Sequence, residues 1–194
     1  MSLSGKVAIV TGSSRGIGKA IALGLAMEGA IVVVAARSET QRPNAPGTIQ
    51  ATVAEIEALG GKALAIRCNV REEESIQNLV RQTINTLGRV EVLVNNAGVG
   101  NYTPFLETTL KEWELVLDID LRAPFICCQA VVPAMIKQGG GSIINISSHA
   151  ATNLFSSTLG QEHDEGIGLI GLAYGTAKAG LERFSWRLSA ELGR

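Results

Sequence analysis

Tyr174 and Lys178 stand four residues apart in Tyr174-Gly175-Thr176-Ala177-Lys178, which opens an apolar run continuing through Phe184, Trp186 and Leu188. On a helix that spacing puts both side chains on one face. A phenol is a poor base at neutral pH, but an ammonium one turn away favours its phenolate. The tyrosine can then exchange a proton with an alcohol or carbonyl oxygen. Ser148, just past the apolar run of residues 142–146, offers a hydroxyl to hold the same oxygen. Tyr-x-x-x-Lys also arises as a pair of exposed helix neighbours, so its company matters. That company begins with Thr11-Gly12-Ser13-Ser14-Arg15-Gly16-Ile17-Gly18, set between the apolar run of residues 7–10 and the helical pattern of Ala20, Ile21, Leu23, Leu25 and Ala26. Glycines in a strand-to-helix turn let the backbone approach a ligand. The helix N–H groups and dipole then suit a diphosphate. The spacing is Gly-x-x-x-Gly-x-Gly, not the common Gly-x-Gly-x-x-Gly. Glycine-rich turns also arise for steric reasons alone.

These residues need a scaffold, and the pattern of the chain supplies one. Short β-branched runs predict strands over 6–10, 31–36, 63–66, 90–94 and 142–146, each but the last followed by a helical pattern. The first helix ends near Glu28-Gly29, the second spans 49–59, and the third runs from Glu72 to Leu87. The fourth begins at Thr108, with Pro124 and Pro133 expected to bend or bound it. Strand and helix alternate without an internal repeat or a dividing linker. That predicts one domain over 1–194 with a doubly wound parallel sheet. Ligands bind at the carboxyl edge of such sheets. Asn95-Asn96-Ala97-Gly98 lies there: the asparagines can brace neighbouring strands, or simply form a turn.

The tip of the second strand usually lies beside the adenine ribose, where a carboxylate selects NAD. Here the residues are Ala35, Ala36 and Arg37. A cation without a carboxylate favours a 2′-phosphate, hence NADP over NAD, with NAD still possible. Arg15 is a second candidate ligand for that phosphate; the bland alternative leaves both arginines on a solvated face. Residues 38–47 are polar, contain Pro43, Pro46 and Gly47, and form a long connection that suits a flap over the adenosine end.

Composition narrows the classes. The chain has 194 residues, 46% of them apolar, and a net charge of −1. Nothing points to a nucleic-acid or membrane surface, and the apolar runs are too short to span a bilayer. No leader pattern precedes the first strand, so the expected location is the cytoplasm. Cys68, Cys127 and Cys128 make no disulfide framework and read as buried apolar residues. With only His149 and His163 as imidazoles, no metal site is expected.

Taken together, residues 11–18, Asn95-Asn-Ala-Gly98, Gly141-Ser-Ile-Ile-Asn-Ile-Ser-Ser148 and Tyr174-Gly-Thr-Ala-Lys178 resemble the short-chain dehydrogenase/reductase family, in its order and over nearly the whole chain. The resemblance implies a three-layer Rossmann-type doubly wound parallel sheet and hydride transfer between a nicotinamide and a small carbonyl or alcohol. Tyr174 would be the acid/base, Lys178 would tune it and hold the nicotinamide ribose, and Ser148 would orient the carbonyl. Gly12, Ser14, Gly16, Ile17 and Gly18 would line the diphosphate, and Asn96, Ala97 and Gly98 the ribose and nicotinamide. Asn69 and Val70 would meet the adenine. A homo-oligomer, tetramer or dimer, is also implied, through residues 108–136 and the last helix.

The departures from the family are specific. Asp120 stands where the family usually carries an Asn that seats a water in a proton relay to the lysine; its carboxylate would pair with Lys178, at some cost to activity. Asn69 replaces the usual Asp at the adenine. Ser148 and Tyr174 are further apart than usual, so part of 151–170 must loop out. The family's last strands have no counterpart before Arg194, which predicts a shortened fold and an exposed edge on the fifth strand. A nucleotide-binding protein without turnover is the alternative these departures leave open.

Overall fold

The computed structural model describes residues 3–41, 46–101, 103–152 and 171–193. Contacts divide the chain into two compact units: Met1–Ala97 with Phe125–Ile146, and Gly98–Pro124 with Ser147–Arg194.

The first unit is a parallel sheet of β1 (Val7–Thr11), β2 (Ile31–Ala36), β3 (Lys62–Arg67), β4 (Val92–Asn95) and β5 (Ser142–Asn145), in the order β3-β2-β1-β4-β5. The central strands are runs of Val, Ile and Ala with no exposed position in β1 or β2. That is the signature of a sheet covered on both faces. Successive side chains point to opposite faces. Ala8, Val10, Val32 and Val34 therefore share one core, with Ala22 and Ala26 of α1 (Gly16–Met27) and Ile49 and Ile56 of α2 (Ile49–Ala58). Ile9, Val33 and Leu93 face the other way. The helices α3 (Glu73–Leu87) and α5 (Ala123–Lys137) bury Ile76, Leu79, Val131 and Met135. This is the expected three-layer architecture. The register places Val10, Val34 and Val94 side by side at the carboxyl edge. Among the described residues β5 is an edge strand, and its Ile144 is exposed.

Local chemistry sets the helix ends. Thr48 caps α2 by accepting the Ala51 N–H at 3.0 Å. Glu73 and Glu74 fill the first turn of α3, where carboxylates suit the dipole. Gly88, at φ 78°, closes α3 in a left-handed conformation that a side chain would resist.

The second unit contains α4 (Leu110–Leu117), a π turn over Asp118–Arg122 that runs on into α5, and α6 (Leu172–Leu192). A capping box starts α4: Thr109 Oγ1 accepts from Glu112 N, and the Glu112 carboxylate accepts from Thr109 N. Trp113, Val116 and Leu117 of its apolar face, with Leu121 of the π turn, pack with Ala173, Tyr174 and Ala177 of α6.

Pro124 marks a boundary as expected, being the second residue of α5 just after the helix is interrupted. Pro133 lies inside α5. Val131 and Met135, buried on either side of it, hold the helix across the missing N–H by packing. The interruption is the π turn over residues 118–122, just ahead of Pro124, whose missing N–H withholds a bond from the preceding turn. Residues 153–170 of the connection after Ser148, among them His163, and residues 42–45 of the 38–47 connection lie outside the described residues. Among those described, no helix is long and apolar enough to cross a membrane, and no group of His, Cys, Asp and Glu is arranged for a metal.

Candidate active site

The glycine-rich turn leaves β1 at Thr11 and enters α1 at Gly16. Gly12 and Gly16 take φ +69° and +56°, which only glycine adopts at little cost. Gly12 is also a close-approach point: a Cβ there would lie 2.9 Å from Ala97 Cα. A Cβ on Gly18 would lie 2.3 Å from Asn96 Nδ2 and 2.5 Å from the Gly12 carbonyl oxygen.

The turn is held by neutral hydrogen bonds. Ser13 Oγ donates to Val10 O at 2.7 Å and accepts from Ala35 N at 3.0 Å. Thr11 Oγ1 donates to Val94 O and accepts from Asn96 N and Ala97 N at 3.0 and 3.1 Å. Asn96 Nδ2 donates back to Thr11 O at 2.9 Å, while Asn95 Nδ2 reaches Asn145 Oδ1 at 2.9 Å on the neighbouring strand. So the asparagines do brace neighbouring strands, and Thr11 is the hub the sequence reading passed over. Its signal was a hydroxyl at a strand end beside a glycine turn, where side-chain-to-backbone bonds are common.

The dinucleotide fit can be judged from the chain itself. The amino end of α1 has no side-chain cap and no acidic residue in its first turn. Its N–H groups are thus left for an anion. Nothing lies within 4 Å of a Cβ built on Gly16, so the floor of the cradle is open. Arg15, Gly16, Ile17 and Arg37 are exposed, whereas Ser14 is buried at 5%. Asn69 is engaged in its own turn, donating to Glu72 Oε1 at 2.6 Å and accepting from Arg71 N at 3.4 Å; Val70 beside it is half-buried.

The second unit gathers a different set. Asp120 sits in the π turn with 0% exposure, and Lys178 on α6 with 4%. The ammonium is 3.1 Å from Asp120 Oδ1, a buried ion pair. Oδ2 accepts from Val99 N at 2.9 Å, just beyond the exposed Gly98. Burial raises the Asp120 carboxyl above the usual range, and the Val99 N–H and Lys178 only partly offset it. Lys178 Nζ also lies 5.5 Å from the centroid of the Tyr174 ring. Ser148 Oγ accepts from Ala150 N at 3.2 Å, which leaves its own proton to donate. Ser147 Oγ donates to Glu182 Oε1 at 2.6 Å, tying this segment to α6 one turn beyond Lys178. Sequence reading missed the Val99 N–H and the Ser147–Glu182 bond.

The three cysteines are buried and unreactive in character. Burial pushes the Cys68 and Cys128 thiols up to about 11, and Cys127 higher still.

The first unit thus carries a glycine-rich turn at the carboxyl edge of a doubly wound parallel sheet, and the second a Tyr–Lys pair on one helix. The chain matches the short chain dehydrogenase family over residues 6–194. It belongs to that family, whose members are NAD(P)-dependent oxidoreductases.

Relatives agree. A 3-oxoacyl-[acyl-carrier-protein] reductase of Synechocystis sp. is 40% identical over 98% of this chain and 69% of its own length. A hydroxysteroid dehydrogenase-like protein 2 of Danio rerio is 43% identical over 75% of this chain, but the match spans only 35% of that protein. Among solved structures, a metagenomic short-chain oxidoreductase in complex with NADP is 37% identical with a TM-score of 0.82, over 99% of this chain and 78% of that one. One from Burkholderia xenovorans has 30% identity and a TM-score of 0.85, over 99% and 70%.

Proposed function

We propose that this chain interconverts a carbonyl and a secondary alcohol, with NADP preferred over NAD. The observation that carries the reading is the Tyr174–Lys178–Asp120 cluster, in which Asp120 and Lys178 are buried and Tyr174 half-buried, where a chance surface pair would be exposed. When bound, the nicotinamide supplies or accepts the hydride. Tyr174 Oη gives its proton to the carbonyl oxygen in reduction and takes it back in oxidation. Lys178, paired with Asp120, lies 5.5 Å from the Tyr174 ring and sets its positive charge beside the site of proton transfer. Ser148 donates its hydroxyl proton to the substrate oxygen. Gly16, Ile17 and Gly18 line the diphosphate by backbone N–H groups and Gly12, whose own N–H donates to the Ala35 carbonyl, by close backbone approach, with Ser14 packed beneath. Ala97 and Gly98 border the ribose and nicotinamide, positioned through Asn96, and Asn69 and Val70 border the adenine. Arg15 and Arg37 receive the 2′-phosphate. Exposed Phe125, Ile136 and Trp186 are the contacts of a homo-oligomer in this reading.

One observation favours a second reading, nucleotide binding without turnover. A carboxylate, not an amide, faces Lys178, and it draws the ammonium's charge away from the phenol. The test is NADPH oxidation by the purified protein with a panel of small ketones and 3-oxoacyl thioesters, alongside NADPH and NADH titrations by nicotinamide fluorescence. The proposal expects carbonyl-dependent oxidation and tighter NADPH binding. Tight binding with no oxidation of NADPH by any carbonyl would favour the second reading.

A further inference from the structure

The amino end of α2 touches the glycine-rich turn at consecutive residues. Thr52, with 0% exposure, donates its hydroxyl to the Ser13 carbonyl at 3.0 Å, as well as to Thr48 O at 3.3 Å. Gly47 backs onto the next residues. A Cβ there would lie 2.3 Å from the Ser14 carbonyl oxygen and 3.2 Å from Arg15 Cβ, and its φ of +111° disfavours any side chain. Ile49 N donates to Ser38 O at 3.0 Å, closing the connection from β2 at its base.

None of these contacts is needed to form α2. Thr48 already caps it, and the Thr52–Ser13 bond spans 39 residues of sequence. They act on the turn. Ser13 is pinned from below by Val10 and Ala35 and from the side by Thr52. Ser14 and Arg15 are backed by Gly47. Arg15 itself is extended, at φ −167° and ψ 177°, so its side chain follows wherever the Ser13–Ser14 backbone is set.

We propose that Gly47 and Thr52 are positioning residues for Arg15, and that through it they set the preference for a 2′-phosphorylated dinucleotide. This rests on the reading of Arg15 as a phosphate ligand. A guanidinium fork gains its strength from geometry, and a supporting shell that gives by about 1 Å forfeits it. The connection between β2 and α2 thus acts on cofactor choice through the backbone of the turn.

The experiment measures dissociation constants of NADPH and NADH by nicotinamide fluorescence for the full chain, with melting curves as the folding control. The variants are Arg15→Ala, Gly47→Ala, Thr52→Val and Thr52→Ser. Arg15→Ala is expected to lower the NADPH-over-NADH affinity ratio about tenfold. Gly47→Ala and Thr52→Val each lower it about fivefold, by weakening NADPH and sparing NADH. Thr52→Ser, which keeps the hydroxyl, restores it. If one of the two positions yields no folded protein, the other carries the test. Weakening both cofactors alike, or neither, while Arg15→Ala lowers the ratio overturns this inference alone. An unchanged ratio in Arg15→Ala overturns the phosphate reading of Arg15 and this inference with it.

Discussion

In the sheet-bearing unit, the hydrogen bonds that hold the glycine-rich turn are neutral. They join main-chain groups through the hydroxyls of Thr11, Ser13 and Thr52. In the other unit, the polar atoms at the centre are a buried carboxylate and a buried ammonium. The first arrangement follows from the path of the chain, and neutral hydrogen bonds are nearly indifferent to pH. The second depends on two side chains that must each keep the other. Neither charge tolerates burial alone, because the desolvation penalty is then uncompensated. The difference suits the division of labour proposed above. A dinucleotide is gripped by shape and backbone dipoles, while proton transfer needs a titratable group under an electric field.

The contrast can be broken most forcefully at Asp120. Asp120→Ala removes the carboxylate 3.1 Å from the buried Lys178 ammonium and should cost about 3–5 kcal/mol in chemical denaturation. A loss under about 1 kcal/mol would show that the pair is not held as described. Asp120→Asn sharpens the point through pH. Burial raises the folded-state pKa of Asp120 above its unfolded value. The folded state therefore keeps the proton longer, and its stability falls as pH rises from the ordinary carboxylate range through that raised value. The variant lacks this loss. Its melting temperature relative to the parent should climb as pH rises across that window.

On the other side, Gly18→Ala drives a Cβ into Asn96 and the Gly12 carbonyl. It should cost about 1–3 kcal/mol and abolish NADPH binding, with no pH dependence of its own. Thr11→Val removes the hydroxyl that joins β1, β4 and the Asn96–Ala97 backbone. About 1–2 kcal/mol is expected, read by urea unfolding and matched by weaker NADPH binding. The smallest effect belongs to the capping box of α4. The Thr109 N–H, then the hydroxyls of Thr109 and Thr103, hold the Glu112 carboxyl below its usual range. What Glu112 contributes is present at neutral pH and lost as pH falls through that lowered value, so Glu112→Gln should flatten the acid side of the melting profile. Thr109→Ala should cost about 1 kcal/mol.

Legibility followed the same divide. The strand at 31–36 was readable to both ends, because a β-branched run between Gly29 and a polar loop admits one register. The fourth strand was read too early. Val90 and Glu91 are apolar-flanked and buried, yet Gln138 and Val7 take their main-chain groups ahead of the regular ladder. Motifs fixed by backbone shape were legible as glycine spacing. The form of the interruption at Pro124, a π turn, was not, nor was its placing of Asp120 against Val99 and Lys178, contacts of long range in sequence. Tyr174 and Lys178 were found by spacing. Thr52 and Glu182 were not, because each acts on a residue more than 30 positions away.

The most direct test of the account is Tyr174→Phe, with NADPH affinity and carbonyl-dependent NADPH oxidation measured on the same preparation. The account predicts unchanged affinity and a rate lower by about 10²–10⁴-fold, because the cradle does not use the phenol and the chemistry does. A variant that binds NADPH and still oxidises it at the parent rate would contradict the assignment of proton transfer to the Tyr174–Lys178–Asp120 cluster.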